Sequence, residues 1–209
     1  MSVHDTQQRL AHPHPTDERR DRPHPEPRWD QLAAHLTGHV VLPDDPGYDA
    51  LVGSFNLTQH PHPAAVVQAA DADDVVAAVR FAGRHGIEIA PQATGHGATD
   101  ALDGALLIHT GLLQELQIHA EGWARIGAGV RWQQVLEAAA PLDLMGLAGS
   151  SPTVGVVGYV TGGGLSPRGP RLRFRRGPRA RPRPRDRRRG AAPGDPRARA
   201  GPVLGRARR

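Results

Sequence analysis

The sequence predicts an α+β domain in which short strands outnumber helices, flanked by a polar leader and an arginine-rich tail. Brief apolar runs of strand type recur between residues 63 and 148, and an amphipathic helix joins the first of them to the second. The composition changes abruptly after a triple glycine and Leu165. We therefore expect one domain core, which lies within residues 38–167.

A strand–helix–strand unit is predicted at residues 63–90. Residues 63–70 are a brief apolar run of the buried-strand type, and the four residues that follow supply an N-cap and first-turn negative charge for a helix. The helix is expected to run through Arg84 and to stop at Gly86, before a second strand at residues 87–90. Such a unit predicts parallel pairing. The side chains expected on the buried face of the helix are Val75, Val76, Val79 and Ala82.

The other predicted elements are short. A helix at residues 131–140 is indicated by apolar residues at i, i+3, i+4 and i+7, and a helical entry is expected around residues 29–36. The remaining predicted strands are residues 105–108, 116–119, 123–128 and 144–148. The last strand leads into a glycine-rich segment that we interpret as a loop.

The tail, residues 168–209, does not have the composition of a folded domain. It contains 17 Arg, 7 Pro, 6 Gly and 6 Ala among its 42 residues. Its net charge is +15, from 17 Arg against 2 Asp, whereas residues 1–167 carry −10, from 9 Arg against 19 acidic residues. The sequence pI near 11.0 is therefore a property of the tail alone.

Two interpretations of the tail remain open. Its four common residues have codons that begin with two G or C bases, and GC-rich DNA read in the wrong frame yields such a mixture. We interpret the tail as a frameshift product or a disordered segment. The alternative is a genuine arginine-rich segment that binds nucleic acid or another anionic partner, with steep salt dependence.

The leader, residues 1–30, is polar and contains three His-Pro pairs. It has too little apolar surface to offset the entropy lost on ordering, so we expect it to be disordered. His12, His14 and His24 could bind a metal ion, but they lack partner carboxylates, and we predict no metal site.

The composition also argues against several classes of function. Without Cys, the chain has no thiol nucleophile, disulfide or Cys-ligated metal. Without Lys, it has no P-loop lysine and no Schiff base. No apolar run approaches the ~18 residues that cross a bilayer, and the polar start is no signal peptide. We expect a cytoplasmic protein with no membrane partner.

Two glycine-rich segments are the candidates for a binding site. The first loop, residues 91–99, follows a predicted strand, and its small residues around Gly95 and Gly97 allow successive backbone N–H groups to face one anion. A plain tight turn is the alternative. The second segment, residues 149–164, contains six glycines, which bring bare backbone close to a flat or anionic group. It lacks the GxSxG pattern of a hydrolase elbow.

Together these residues resemble the FAD-linked oxidases with a p-cresol methylhydroxylase-type (PCMH-type) flavin domain, most nearly the berberine-bridge-enzyme-like branch. The resemblance is carried in order by PQATGHGATDALDGALLIHT at residues 91–110, RIGAGVRWQQVLEAAAP at 125–141 and GSSPTVGVVGYVTGGGLSP at 149–167. It extends from about Gly38 to Leu165. It implies the N-terminal part of such a domain, a small β-α-β subdomain and the start of a second subdomain.

The resemblance implies FAD as the cofactor and assigns residues to it. In that family the first loop encloses the pyrophosphate and its histidine commonly bonds to the flavin 8α-methyl carbon, so His96 is the candidate for a covalent link. A histidine that only packs over the loop is the alternative. Tyr159 is either a proton acceptor or a packing residue, and Val156 and Val157 are expected in the core. The residues assigned to FAD are Gln92, Ala93, Thr94, Gly95, His96, Gly97, Ala98, Gly149, Ser150, Val154, Gly155, Gly158, Tyr159, Gly162, Gly163 and Gly164.

The function implied by the resemblance is FAD-dependent oxidation of an alcohol, amine or sugar-like small molecule, with hydride transfer to flavin N5 and electrons passed to oxygen. The family's substrate-covering domain and active-site base lie beyond the part that matches, so we expect a truncated chain and nominate no catalytic residue. The alternatives are a non-catalytic flavin-binding fragment and an arginine-rich nucleic-acid-binding protein.

Overall fold

The computed structural model describes residues 27–167 and the backbone of residues 204–206. The candidate metal ligands of the leader and nearly all of the arginine-rich tail lie outside the described residues. No helix in the described part is both long enough and apolar enough to span a membrane.

The first half of the described chain forms a four-stranded mixed sheet. Its strands are β1 (His39–Val41), β2 (Ala65–Gln68), β3 (Ile89–Gln92) and β4 (Leu106–His109), in the spatial order β1-β2-β4-β3. Strands β2, β4 and β3 are parallel, and β1 is antiparallel to β2. Helices α1 (Trp29–Ala33) and α3 (Ala72–His85) cover one face, and α2 (Tyr48–Val52) covers the other.

The central strands are apolar on both sides because both faces of the sheet are covered. Val67, Leu106 and Ile108 pack in the cluster under α3, whereas Val66 and Leu107 pack in the cluster under α2. Successive side chains of a strand point to opposite faces, so an uninterrupted apolar run is what a doubly covered strand requires. The prediction of buried strands here is confirmed, with β3 placed two residues later than expected.

The predicted β-α-β unit is right in direction but wrong in pairing. Strands β2 and β3 are parallel, yet neither pairs with the other, because both pair with β4, which lies between them. The connection through α3 therefore skips one strand position in the sheet, and β4, which comes later in the chain, occupies that position.

Helix α3 begins and ends within one residue of the prediction. The Asp71 side chain accepts hydrogen bonds from the backbone N–H groups of Asp73 and Asp74, which satisfies donors of the first turn. Gly86 ends the helix in the left-handed conformation, with φ 67°.

The predicted buried face of α3 is right only in part. Of its four expected side chains only Ala82 is fully buried; Val79 is 45% exposed, and Val75 and Val76 are partly buried. The face that contacts the sheet centres on Phe81, which also packs against α1. A phenylalanine buries more apolar area than a valine, so it decides how the helix is rotated about its axis.

Asp74 is buried although it is charged. Its carboxylate accepts hydrogen bonds from the backbone N–H groups of Thr37 (2.8 Å), Gly38 (2.9 Å) and Ala70 (2.8 Å). Burial raises the pKa of this carboxyl, but the N–H donors outweigh burial and the pKa is lowered. Asp74 thus joins the first turn of α3 to the segment that enters β1.

The second half forms a smaller cluster around a hairpin and a helix. Its elements are β5 (Leu116–His119), β6 (Trp123–Ile126), α4 (Trp132–Ala139), β7 (Leu144–Gly146) and α5 (Val156–Thr161). Strands β5 and β6 are antiparallel, and Trp132, Val135 and Ala139 of α4 are fully buried. The predicted elements among these, β5, β6, α4 and β7, are confirmed, apart from two-residue differences at strand ends.

Three elements depart from the sequence analysis. Strand β1 and helix α2 were not predicted, and the glycine-rich second segment contains α5 where a loop was expected. Val156 of α5 is buried as predicted, whereas Val157 is only partly buried. Helix α5 forms despite its glycine because Val156 and Tyr159 pack in the same cluster as α4.

One short segment of the tail is described. The backbone of Leu204–Arg206 forms β8, which is antiparallel to β7. An edge strand such as β7 presents unpaired N–H and C=O groups that an added strand satisfies.

Candidate functional site

A cleft of about 320 Å³ lies between the sheet and the second half of the domain. It begins at the carboxyl end of β3, where the first loop leaves the sheet. Its volume is within the range of small-molecule sites. The residues that line it are Pro91, Gln92, Ala93, Thr94, Gly95, His96, Gly97, Ala98, Leu102, Val154, Gly155, Gly158 and Tyr159.

The structure brings most of the predicted site residues together. Every residue predicted in the first loop lines the cleft, and so do four from the second segment, Val154, Gly155, Gly158 and Tyr159. Pro91 and Leu102 line it in addition. The predicted residues that are not part of the lining are Gly149, Ser150, Gly162, Gly163 and Gly164.

The first loop is held by the backbone that follows α2. Gly95 is left-handed, with φ 69°, and a Cβ there would collide with the Gly53 carbonyl oxygen. The Gly95 carbonyl accepts hydrogen bonds from the N–H groups of Phe55 (3.1 Å) and Ala98 (3.2 Å), and the Gln92 amide donates to the Leu51 carbonyl at 3.0 Å. This loop therefore requires glycine at position 95 for its own geometry.

His96 is held on two sides. Its ring stacks on that of Phe55, with centroids 4.1 Å apart and an angle of 18° between the planes. Its Nε2 lies 3.2 Å from the Thr153 hydroxyl, which lies 2.9 Å from the Ser151 hydroxyl. Burial, and secondly the Arg131 charge, lower the pKa of His96, which keeps the imidazole neutral at pH 7.

Tyr159 packs between two glycines of the second segment. A Cβ at Gly149 would lie 3.0 Å from the Tyr159 ring, and one at Gly164 would collide with it. The ring meets that of Trp132 edge-on, with centroids 5.6 Å apart. Burial raises the pKa of Tyr159, so its hydroxyl retains its proton at neutral pH, which favours packing over proton acceptance.

Two of the residues that line the cleft carry polar atoms that the described residues leave without partners. The Gln92 Oε1 and Tyr159 hydroxyl oxygens are buried, and no hydrogen bond satisfies them within the described part. Buried polar groups are normally hydrogen-bonded, so these two atoms are exceptions beside the cleft. A Cβ at Gly97 or Gly158 would meet no atom within 4 Å, so the cleft beside them is open to a ligand. These features fit a flavin nucleotide.

Sequence reasoning did not identify three residues that act on His96. Phe55, Thr153 and Arg131 were present in or next to the matching motifs, but nothing in their spacing shows which ring or hydroxyl meets the histidine. Thr153 is 57 residues away from it along the chain. The nearest signal was that Thr153 lies in the glycine-rich second segment.

Comparisons with known proteins concern the same region. The family described as an FAD binding domain matches residues 63–173, just over half of the chain. (R)-6-hydroxynicotine oxidase of Paenarthrobacter nicotinovorans is 32% identical over 135 residues, 62% of this chain and 29% of that protein. The FAD-linked oxidoreductase easE of Arthroderma benhamiae is 41% identical over 104 residues, 43% of this chain and 21% of that protein.

Solved structures of similar fold come from the same group of oxidases. The crystal structure of 6-hydroxy-D-nicotine oxidase from Arthrobacter nicotinovorans has a TM-score of 0.59 at 31% identity, covering 65% of this chain and 30% of that one. BBE-like 1 of Physcomitrella patens, in a variant form, has a TM-score of 0.57 at 26% identity, covering 63% and 30%. The chain spans less than a third of the length of these relatives.

These findings confirm the resemblance seen in the three motifs and the α+β fold that it implied. The proteins to which the chain is similar are FAD-linked oxidoreductases and oxidases. The chain therefore belongs to the FAD binding domain family, with the PCMH-type fold of the berberine-bridge-enzyme-like oxidases and FAD as its cofactor.

Proposed function

We propose that this domain binds FAD in the cleft between the first loop and the second segment, in the oxidation of a small alcohol, amine or sugar-like substrate. One observation carries the proposal. Two glycine-rich segments that are far apart in the sequence line one cleft, and two of its glycines, Gly97 and Gly158, have open space where a side chain would be.

The residues proposed to hold the cofactor divide by segment. The backbone of the first loop, from Gln92 to Ala98, would hold the pyrophosphate. Val154, Gly155, Gly158 and Tyr159 would hold the ribityl chain and the ring system. Gly149 and Gly164 act indirectly in this proposal, because they make room for the Tyr159 ring beside the cleft.

FAD, when bound, supplies an acceptor for a hydride at N5, from which the electrons pass to oxygen. The chain's own residues would bind and orient it through the first loop and through the residues of the second segment that line the cleft. His96 is proposed as the attachment point, since its neutral imidazole keeps a lone pair on one ring nitrogen. The aromatic face of Phe55 holds that imidazole in place.

A glycine replacement tests the binding site. A Cβ at Gly97 would meet no protein atom within 4 Å, so we expect Gly97→Val to leave the unfolding free energy within ~0.5 kcal/mol while raising the Kd for FAD at least about tenfold. Titration of the full chain with FAD, followed by flavin fluorescence, measures this. Gly83→Val is the matched control, because Gly83 is equally open but lies on α3, away from the cleft. Equal Kd values for both variants would remove the proposed site.

A second experiment tests the attachment point. The full chain, produced with FAD and precipitated with acid, is expected to retain yellow flavin, and His96→Ala to release it. His35→Ala is the control, since His35 is exposed and lies outside the cleft. Flavin that remains attached in the His96→Ala chain would show that the link is elsewhere.

A further inference from the structure

The hydroxyl groups of Thr153 and Ser151 lie next to His96 in a line. The Thr153 Oγ1 is 3.2 Å from the His96 Nε2 and 2.9 Å from the Ser151 Oγ. A neutral imidazole carries a proton on only one of its two ring nitrogens, and the hydrogen bond at one nitrogen decides which. A hydroxyl can accept that proton's hydrogen bond and donate its own proton onward.

We propose that Thr153 and Ser151 form a hydroxyl relay that accepts the Nε2–H of His96, so that Nδ1 keeps its lone pair and is the nitrogen that bonds to the flavin. Thr153 is then a positioning residue, which acts through His96. The inference rests on the proposed attachment of FAD to His96.

The contacts of the ring support this assignment. Phe55 covers one face of the imidazole and Thr153 occupies its Nε2 edge. Nδ1 makes no hydrogen bond with any residue that the structure describes, so it is the ring nitrogen left for a ligand. Ser151 is only partly buried, so the relay ends where water can take up a proton.

The electrostatics point the same way. Burial and the positive charge of Arg131 both lower the pKa of His96. The imidazole therefore faces the flavin 8α carbon in its neutral form, which has a nucleophilic nitrogen.

The relay also accounts for the protons of the attachment. The net step forms one bond between Nδ1 and the 8α carbon, and it breaks one C–H bond of that methyl group and the Nε2–H bond of the imidazole. Two electrons and two protons leave with dioxygen as hydrogen peroxide. The Nε2 proton departs through the Thr153 and Ser151 hydroxyls, after which the Thr153 hydroxyl donates to the unprotonated Nε2.

The test compares Thr153→Val with Thr153→Ser in the full chain. The serine variant keeps a hydroxyl and the valine variant keeps the shape without it. We expect Thr153→Val to slow the appearance of acid-stable flavin at least about tenfold, since a small loss of alignment costs that much, and Thr153→Ser to stay within about twofold of the unmodified chain. Thr161→Val is the control, because the Thr161 hydroxyl bonds only within α5.

Two measurements report on the relay independently of the attachment rate. The ¹⁵N shifts of the histidines at pH 8, without FAD, show which nitrogen of His96 is protonated, and His96→Ala identifies its signals among the 12 histidines. We expect a protonated Nε2 in the unmodified chain and in Thr153→Ser, and a mixture in Thr153→Val. NMR of the flavin-linked peptide identifies the linking nitrogen, for which we expect Nδ1.

The outcomes separate the two proposals. A proton on Nδ1 in the free chain, a link through Nε2, or equal attachment rates in Thr153→Val and Thr153→Ser overturns the relay. Absence of acid-stable flavin from the unmodified chain overturns the attachment instead, and the ¹⁵N shifts then decide the relay separately.

Discussion

The two segments that line the cleft are both rich in glycine, but they are stabilised by different interactions. The first loop is held by backbone contacts: Gly95 adopts a left-handed conformation against the Gly53 carbonyl and accepts two backbone hydrogen bonds. The second segment is held by an aromatic side chain, since Tyr159 packs edge-on against Trp132.

This difference shows that the glycines of the two segments fall into three groups, according to what surrounds them. Gly95 is needed for the path of the backbone, and Gly164 for the space that the Tyr159 ring occupies. Gly97 and Gly158 have open space where a side chain would be. Only the last kind has no explanation within the described residues, and under the proposed function these two positions face the cofactor.

The largest expected effect is at Gly95. Gly95→Ala places a Cβ against the Gly53 carbonyl in a conformation that L side chains rarely adopt, and we expect a loss of ~3 kcal/mol of unfolding free energy. Urea denaturation of the full chain measures it. Gly97→Ala is the control in the same loop, for which we expect a change within ~0.5 kcal/mol. Similar losses at both positions would contradict the distinction drawn between them.

A smaller loss is expected at Gly164. Gly164→Ala overpacks the Tyr159 ring and should destabilise the domain by ~2 kcal/mol. If the ring is the cause, the loss should fall by at least ~1 kcal/mol in a background that carries Tyr159→Val, where the ring is absent. A double-mutant cycle from urea midpoints measures this coupling. Additive losses would show that Gly164 is required for its backbone alone.

At Gly158 we expect stability and binding to change in opposite directions. Gly158 lies within α5 and a Cβ there would meet nothing, so Gly158→Ala should raise the unfolding free energy by ~0.5–1 kcal/mol, since alanine favours a helix more than glycine. The same Cβ is expected to weaken FAD binding. Thermal unfolding and FAD titration measure the two effects, and unchanged affinity would show that α5 does not contact the cofactor.

The smallest expected effect is the dependence of stability on pH. Burial, and secondly the Arg131 charge, lower the pKa of both His96 and His109, so the unfolded chain binds more protons than the folded chain just below pH 6.5. The stabilisation is therefore fully present above pH 6.5, and it is lost as the pH falls through the pKa values that the two histidines have in the folded chain. Asp74, whose pKa is also lowered, contributes separately, as the pH falls below ~3.8.

Urea denaturation between pH 8 and pH 5 measures the histidine contribution. Arg131→Gln removes the positive charge and is expected to flatten the pH dependence in this range. Arg125→Gln is the control, since Arg125 pairs with Glu115 on the hairpin at 3.5 Å. An equal flattening by both variants would contradict the assignment to Arg131.

Local patterns predicted the elements whose signals are local. The ends of α3 follow from Asp71 and Gly86, and the periodicity of Trp132, Val135 and Ala139 predicted α4. The first loop was correctly expected at the end of a strand, with His96 in it. Each of these needs only neighbours in the sequence, so no knowledge of packing was required.

The errors all involve contacts between distant residues. The rotation of α3 depends on where Phe81 meets the sheet, and the position of β4 between β2 and β3 depends on a segment that follows both. Helix α5 was interpreted as a loop because glycine disfavours a helix in isolation, whereas packing of Val156 and Tyr159 against α4 outweighs that preference.

The sequence by itself determined the class of fold, the family and the two segments that meet at the cleft, because motif order and hydrophobic periodicity are properties of the chain. Only the tertiary structure decided which glycines face open space, and that Phe55, Thr153 and Arg131 act on His96. Those relations depend on distances between residues that are far apart in the chain, which close only when the sheet and the second half pack together.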